Sequence, residues 1–379
     1  MTQPSIATIR TPCLLLDEGK MQRNIDRMAE RARSLGVGLR PHLKTCKSIE
    51  IADRMVPRLK GPATVSTLAE AEEFAASGFN DLLYAVGIAP QKLDRVTAIR
   101  ASGCDLAIIL DSLEQAEAVA AASRASDDPI PVLIEIDSDG HRAGVRPDDA
   151  QLVGIGKELD QGGAELRGVM THAGGSYDAA GADRHAEWAE RERDAAVAAA
   201  ERLRKAGLPC PVVSVGSTPT AMGARDLTGV TELRAGVYVF QDLVMAGIGV
   251  CTLDEITISV LATVVGARPD RGQVFVDAGW MALSRDRGTR NQDVDQGYGL
   301  VCREDGRPFD DLIIAGANQE HGVIEVRPAS DALMPDLPIG TRIRILPNHA
   351  CATAAQHAEY RVLDGGTSVV ETWPRFGGW

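Results

Sequence analysis

The feature that most limits how this chain can fold is an eightfold alternation that begins at residue 37. Short runs of β-branched and aliphatic residues recur: VGLRPHLK (37–44), TVST (64–67), LLYAV (82–86), LAIIL (106–110), VLIEI (132–136), GVMTH (168–172), VVSVG (212–216) and ELRAG (232–236). Runs of this length and composition read as strands. The spacers AEAEEFAAS, SLEQAEAVAAASRA and DRHAEWAERERDAAVAAAERLRKAG are built from helix formers. The last closes on Lys205, Ala206 and Gly207, a cation and then a glycine stop. Asp111 and Ser112 read as a helix start. Eight strands alternating with helices predict an α/β fold, a closed (β/α)8 TIM-type barrel. The alternative is an open doubly wound sheet, but no glycine-rich dinucleotide fingerprint follows the early strands.

After about residue 250 the helical spacers fade. ITISVLATVVGA, QVFVDAG, LIIAGA and TRIRILP are strand-like and separated by turns. They predict a second, mainly β domain. The segment IATIRTPCLLLD has no place in the barrel, so it is assigned there too. The expected division is a barrel over 18–250 and a β domain over 1–17 and 251–379, in a chain of 379 residues. The formal net charge is −13, which argues against a nucleic-acid partner or an anionic membrane surface, since both need a basic face. No apolar run is long enough to span a membrane. The start of the chain lacks the basic and apolar regions of a signal peptide. Seven cysteines without a C-x-x-C pair favour reduced thiols in a cytoplasmic protein.

In such barrels the chemistry gathers at the carboxyl ends of the strands. His42 and Lys44 end the first run. Asp137-Ser-Asp-Gly-His-Arg142 follows the fifth. Thr171-His172-Ala-Gly-Gly-Ser176-Tyr177 follows the sixth. Gly216-Ser217-Thr218 ends the seventh, and Arg234-Ala-Gly236-Val237-Tyr238 the eighth. Gly216 lets a backbone approach closely, Ser217 and Thr218 add hydroxyls, and N–H groups there can form an anion nest. The bland reading of the same loop is a helix cap. Gly236, Val237 and Tyr238 support a phosphate site by their location after the eighth strand. A lysine facing a phosphate across a barrel mouth suggests pyridoxal 5'-phosphate held as a Schiff base on Lys44. His172 could stack on the pyridine ring; otherwise it is a satisfied buried histidine. Arg142 could bond the phenolic oxygen; otherwise it pairs with Asp137 or Asp139. Tyr177 could touch the ring or its nitrogen.

LPNHACAT places His349 and Cys351 two apart. If the preceding strand continued, both side chains would share a face, and imidazole with thiolate suits a divalent ion, zinc in particular. Two ligands are too few for a closed site, so water or substrate would complete the shell. Gln319, Glu320 and His321 could approach the same ion, or form a hydrogen-bonded turn. Arg285, Arg287 and Arg290 could meet a substrate carboxylate, or form a solvated basic loop.

The runs TPCLLLD, RPHLKTCKS, STLAEAEEF, THAGGSY, SVGSTPT, RAGVYVF, VDAGWMA, NQEHG and LPNHACA together resemble the alanine-racemase-like pyridoxal-phosphate enzymes over essentially the whole chain. IEIDSDGHRAGV, DAGWMALSRDRGT and ILPNHACAT narrow the resemblance to the group holding D-threo-3-hydroxyaspartate and D-serine dehydratases and the D-threonine aldolases. The resemblance implies the barrel with its β domain, the Schiff base on Lys44, a homodimer and a metal on His349 and Cys351. It also makes Arg234 a candidate partner for the pyridine nitrogen, since racemases of the family put an arginine there, although the aldolase branch departs from that pattern. It also implies that Cys351 leans towards dehydration, because aldolases of the group carry Asp there. The expected activity is loss of water from a D-3-hydroxy amino acid, followed by tautomerisation and hydrolysis of the enamine to a 2-oxo acid and ammonia. Lys44 would take the α-proton, and zinc, manganese, magnesium or cobalt would assist the departing hydroxyl. D-threo-3-hydroxyaspartate would give oxaloacetate, and D-serine pyruvate. The rivals are a D-threonine aldolase-type lyase, a racemase and a noncatalytic pyridoxal-phosphate carrier. The last is usually a barrel without a β domain.

Overall fold

The computed structural model describes residues 5–56 and 60–379. Residues 1–4, the start of the segment assigned to the β domain, lie outside them. The chain divides into two compact units, one of residues 27–236 with 377–379, the other of residues up to 26 with 237–376.

Strands are numbered in chain order, and β1 (Cys13–Asp17) belongs to the second unit. The first unit carries β2 (Gly38–Pro41), β3 (Ala63–Val65), β4 (Asp81–Gly87), β5 (Asp105–Leu110), β6 (Pro131–Ile136), β7 (Glu165–Thr171), β8 (Val212–Val215) and β9 (Glu232–Ala235). They lie parallel in the order β2-β9-β8-β7-β6-β5-β4-β3, and a bridge from His42 to Thr64 draws the two ends together. The result is a nearly closed eight-stranded barrel of TIM type. Leu83, Ala107, Ile109, Leu133 and Met170 form one buried cluster across β4 to β7. The long helix Ala182–Lys205 packs on the barrel through a stripe of small residues, Ala186, Ala189, Ala196, Ala199 and Ala200. Small side chains at three- and four-residue spacing let a helix lie close to the strands beneath it.

The second unit carries β1 with β10 (Ile258–Arg268), β11 (Gln273–Val276), β12 (Leu300–Cys302), β13 (Pro308–Ala317), β14 (Gly322–Val326), β15 (Arg342–Leu346), β16 (Glu359–Leu363) and β17 (Val369–Pro374). The sheet runs β11-β14-β13-β12-β15-β10-β1-β16-β17. A further pairing of β10 with β11 closes six of these strands into a small barrel. The long β10 can serve two neighbours on one side because its register shifts between Val264 and Gly266. β1 lies antiparallel to β10 and parallel to β16.

Residues 237–250, expected at the end of the barrel, pack with the β unit. Leu243 and Val244 donate their N–H groups to Pro347 and Asn348, and Leu243 joins a cluster with Ile256, Leu300 and Ile313. Among the described residues no helix is long and apolar enough to cross a membrane. All seven cysteines are free.

Candidate active site

Lys44 lies beyond the strand that was expected to carry it. β2 ends at Pro41, and residues 43–46 form a turn in which Lys47 donates to the carbonyl of Leu43 at 2.9 Å. The turn holds Lys44 half-buried at the carboxyl end of the barrel. Gly236 allows this, since a Cβ there would come within 2.9 Å of the His42 carbonyl and 3.2 Å of the Thr45 hydroxyl.

Cations crowd two imidazoles at this rim. Burial lowers the pKa of His42 far below its ordinary value, and the charges of Lys44 and Arg234 lower it further. Burial with Arg142, Lys44 and Arg234 pushes His172 down to about 3, although its Nδ1 lies 2.9 Å from the carbonyl of Gly216. Both rings are therefore neutral at physiological pH. Arg234 is buried and donates to the Ser214 hydroxyl and the Thr171 carbonyl. Arg142 is exposed and makes no ion pair with Asp137 or Asp139. Those carboxylates instead bind the N–H groups of Asp139, Gly140 and Gly175. Burial raises Glu135 to about 7, with Asp111 adding to the shift and Arg234 and Arg142 opposing it. Tyr177 stands 6.1 Å from His172, ring centre to ring centre, at a tilt of 45°.

The loop after β8 is a helix cap as well as a close backbone approach. Gly216 has φ of +132°, and a Cβ there would lie 2.1 Å from the Arg234 carbonyl. Ser217 caps the short helix Thr218–Gly223 in a capping box with Thr220 and also bonds Ser176 at 2.9 Å. Its hydroxyl is thus engaged within the protein, and what the loop offers a ligand is backbone. Thr218 is fully buried at the first helical position. Val237 and Tyr238 are buried in the turn after β9.

The sequence reading missed Glu192. It is 1% exposed, and its Oε1 accepts the Ala173 N–H at 2.8 Å. Burial raises its pKa, while bonds from Ala173, Thr220 and Gly216 hold it down. One carboxylate thus ties the loop after β7 to the loop after β8. The available signal was position: residue 192 lies three after Ala189 and four before Ala196, on the buried stripe of its helix.

In the β unit, β15 stops at Leu346, so His349 and Cys351 do not share a strand face. His349 is instead the N-cap residue of the helix Ala350–Ala354, and Cys351 lies in its first turn. The pair still meets, through a hydrogen bond between imidazole and thiol. Nδ1 of His349 sits 2.6 Å from Oδ2 of Asp286. Burial opposes charge on His349, but Asp286, Cys351 and Asp242 outweigh it and push its pKa up to about 11. Among the described residues no group of three or more His, Cys, Asp or Glu is arranged to hold an ion. The donor set fits an open two-ligand site whose histidine is oriented by a carboxylate. Gln319 and His321 lie on the exposed turn between β13 and β14, where Asn318 donates to the His321 carbonyl at 2.8 Å. Neither bonds to His349 or Cys351. Arg285 is exposed and stacks on Trp280, with 4.5 Å to the ring centre, and Arg287 pairs with Asp295 at 2.6 Å.

Comparison with known proteins places these features in context. Residues 16–243 match the family of the alanine racemase N-terminal domain, and residues 257–363 match the putative serine dehydratase domain. D-threo-3-hydroxyaspartate dehydratase from Delftia sp. strain HT23 is 52% identical, over 100% of both chains. D-serine dehydratase from Dictyostelium discoideum is 31% identical, over 97% of each. A solved structure of a D-threo-3-hydroxyaspartate dehydratase with one cysteine changed to alanine, in the metal-free form, superposes with a TM-score of 0.96 at 51% identity over 100% of both chains.

Proposed function

This chain belongs to the family defined by the alanine racemase N-terminal domain, joined to a serine dehydratase domain, and on that premise we propose that it is a lyase that eliminates water from a D-3-hydroxy amino acid, the released enamine tautomerising to an imine that water hydrolyses to a 2-oxo acid and ammonia. The favoured substrate is D-threo-3-hydroxyaspartate, with oxaloacetate and ammonia as products. D-serine is the second choice.

The observation that carries this reading is the set of cations at the barrel rim, Lys44, Arg142 and Arg234, bearing on two imidazoles held neutral. Such a set fits an anionic pyridoxal 5'-phosphate. Lys44 would hold its aldehyde carbon, the backbone of Gly216 to Thr218 and Gly236 to Tyr238 its phosphate, and His172, Tyr177 and Arg142 its ring. When bound, the cofactor supplies an electron sink for a carbanion, and a divalent ion on His349 and Cys351 supplies a Lewis acid for the hydroxyl.

The remaining work falls to side chains of the protein. Nζ of Lys44, freed once the substrate amine takes its place, would remove the proton from the α-carbon of the substrate. His42 and His172 bear no charge and so do not compete as acids. Asp286 orients the ring of His349. Arg285 is a candidate for a substrate carboxylate, with Gln319 and His321 as further candidates. Seven free thiols support a reducing, cytoplasmic setting, and the family resemblance supports a homodimer.

The test is an assay of ammonia and 2-oxo acid on D-serine, both D-3-hydroxyaspartate diastereomers and D-threonine, with and without a chelator. The expected result is fastest turnover of the D-threo diastereomer, lost on chelation. Release of glycine and an aldehyde, or activity indifferent to the chelator, would sink this reading.

A further inference from the structure

The turn that carries Lys44 is fastened at both ends within the barrel unit. At its start Leu43 donates its N–H to the Thr64 carbonyl at 2.8 Å, beside the bridge from His42 to Thr64. At its close Lys47 adopts φ of +44°, a left-handed conformation uncommon for a lysine. From that backbone its ammonium reaches Glu70, with 3.0 Å between Nζ and Oε1. Glu70 is 1% exposed and the side chain of Lys47 16%, so the pair stands in a site short of water. Removing either member would strand the charge of the other.

Glu70 is the third residue of the helix Leu68–Ala76, whose N-cap is Thr67. A glutamate at that position commonly reaches back to cap a free N–H. Here Oε2 accepts the Ser66 N–H at 2.9 Å. Capping alone accounts for neither the burial nor the lysine. The same carboxylate also reaches Lys44 by a second route. Oγ of Ser66 lies 3.3 Å from Nε2 of His42, and the Lys44 N–H faces Nδ1 of His42 at 3.4 Å. A neutral imidazole accepts at one nitrogen and donates at the other, which links Ser66 to the backbone of Lys44.

We propose that Glu70 and Lys47 are positioning residues, whose buried ion pair fixes the turn 43–47 and so holds Nζ of Lys44 in place for the cofactor's aldehyde. The inference rests on the reading of Lys44 as the cofactor lysine. Condensation of Nζ with the aldehyde forms one C=N bond and releases one water, and it depends on how the amine is held. The phosphate and ring contacts proposed above lie on other loops. The pair therefore governs the covalent bond to the cofactor more than its noncovalent contacts.

The experiment compares pyridoxal 5'-phosphate with pyridoxamine 5'-phosphate, which keeps the ring and phosphate but has no aldehyde, on the full-length protein stripped of cofactor. Fluorescence titration gives a dissociation constant for each, and the imine absorbance band is recorded alongside. Lys47→Met and Glu70→Gln should each weaken the aldehyde form by roughly tenfold or more, as for other groups that orient a ligand, while changing the amine form by less than about twofold. Lys47→Arg, which keeps the charge, should recover part of the loss. Glu70→Gln retains a carbonyl oxygen for the Ser66 N–H, so it decides alone if Lys47→Met does not fold. A wild type without the imine band, or a Lys44→Ala variant that keeps it, would end the Lys44 reading and this inference together. An imine band in wild type, with the ratio of the two constants unchanged in the variants, would overturn this inference alone. So would equal weakening of both ligands beside a lowered melting temperature, the mark of a purely structural pair.

Discussion

A carboxylate as buried as Glu192 survives in a folded protein only if its oxygens are bonded, and here they bond two loops at once. Glu192→Ala would leave the N–H groups of Ala173 and Gly216 without an acceptor, at about 1–3 kcal/mol each. Both loops carry proposed cofactor contacts. The expected outcome is therefore a rise of roughly ten- to a hundredfold in the cofactor dissociation constant, as for other groups that orient direct ligands. Fluorescence titration of the cofactor-free protein measures it. Glu192→Gln, which keeps one carbonyl oxygen, should recover part of the loss. An unchanged dissociation constant beside a lowered melting temperature would reduce Glu192 to a packing role. A second residue-scale prediction concerns Lys44. Lys44→Ala should abolish the imine absorbance band and lower turnover by roughly a thousandfold or more. A variant that kept both would remove Lys44 from the mechanism.

At the scale of elements, the barrel strands were readable because their spacers are so plainly helical. Alanine, glutamate and arginine between short aliphatic runs leave little choice of period. Strand ends were less readable. The run 37–44 looks continuous, yet Pro41 closes the strand, and Lys44 stands on a turn that no local pattern announces. The shared strand face expected for His349 and Cys351 does not form, because Pro347 and Asn348 follow the end of the strand and a helix starts between the two residues. β12 has three residues, and β16 (EYRVL) and β17 (VVETWP) mix charge with apolar side chains, so neither length nor composition marked them. Arg344 in TRIRILP is another case: composition suggests the solvent side of a strand, yet the residue is only 7% exposed. Gly216 is a tight element-scale constraint. Its positive φ and the 2.1 Å approach of a Cβ to the Arg234 carbonyl make Gly216→Ala costly by about 3 kcal/mol or more. Urea unfolding of the cofactor-free variant checks this, and a shift below about 1 kcal/mol would mean that the loop yields.

For the whole molecule, the rim charges set how stability depends on pH in the cofactor-free protein. His172 titrates at about 3 in the folded chain against an ordinary 6.5. Below pH 6.5 the unfolded chain takes a proton that the folded one refuses, so stability falls as pH drops towards 3. Glu135, raised to about 7 from 4.5, works the other way, because the folded form keeps a proton that the unfolded form releases. Its influence favours the fold as pH drops from 7 to 4.5. The two oppose each other between 4.5 and 6.5, and acid destabilisation should steepen below that window. Relative to wild type, His172→Gln should gain about 2–3 kcal/mol between pH 6.5 and 4.5. Urea midpoints at the two pH values test it, and a difference that does not change with pH would contradict the assignment.

β1 sits between β10 and β16, and both of its neighbours come from the last third of the chain. During synthesis on a ribosome, CLLLD emerges long before either of its strand partners. Residues 27–236 are complete well before then, so the order of translation lets the parallel barrel form first. Until the carboxyl-terminal strands arrive, a bare leucine-rich edge waits in the cell, and a message that stops short leaves it open for good.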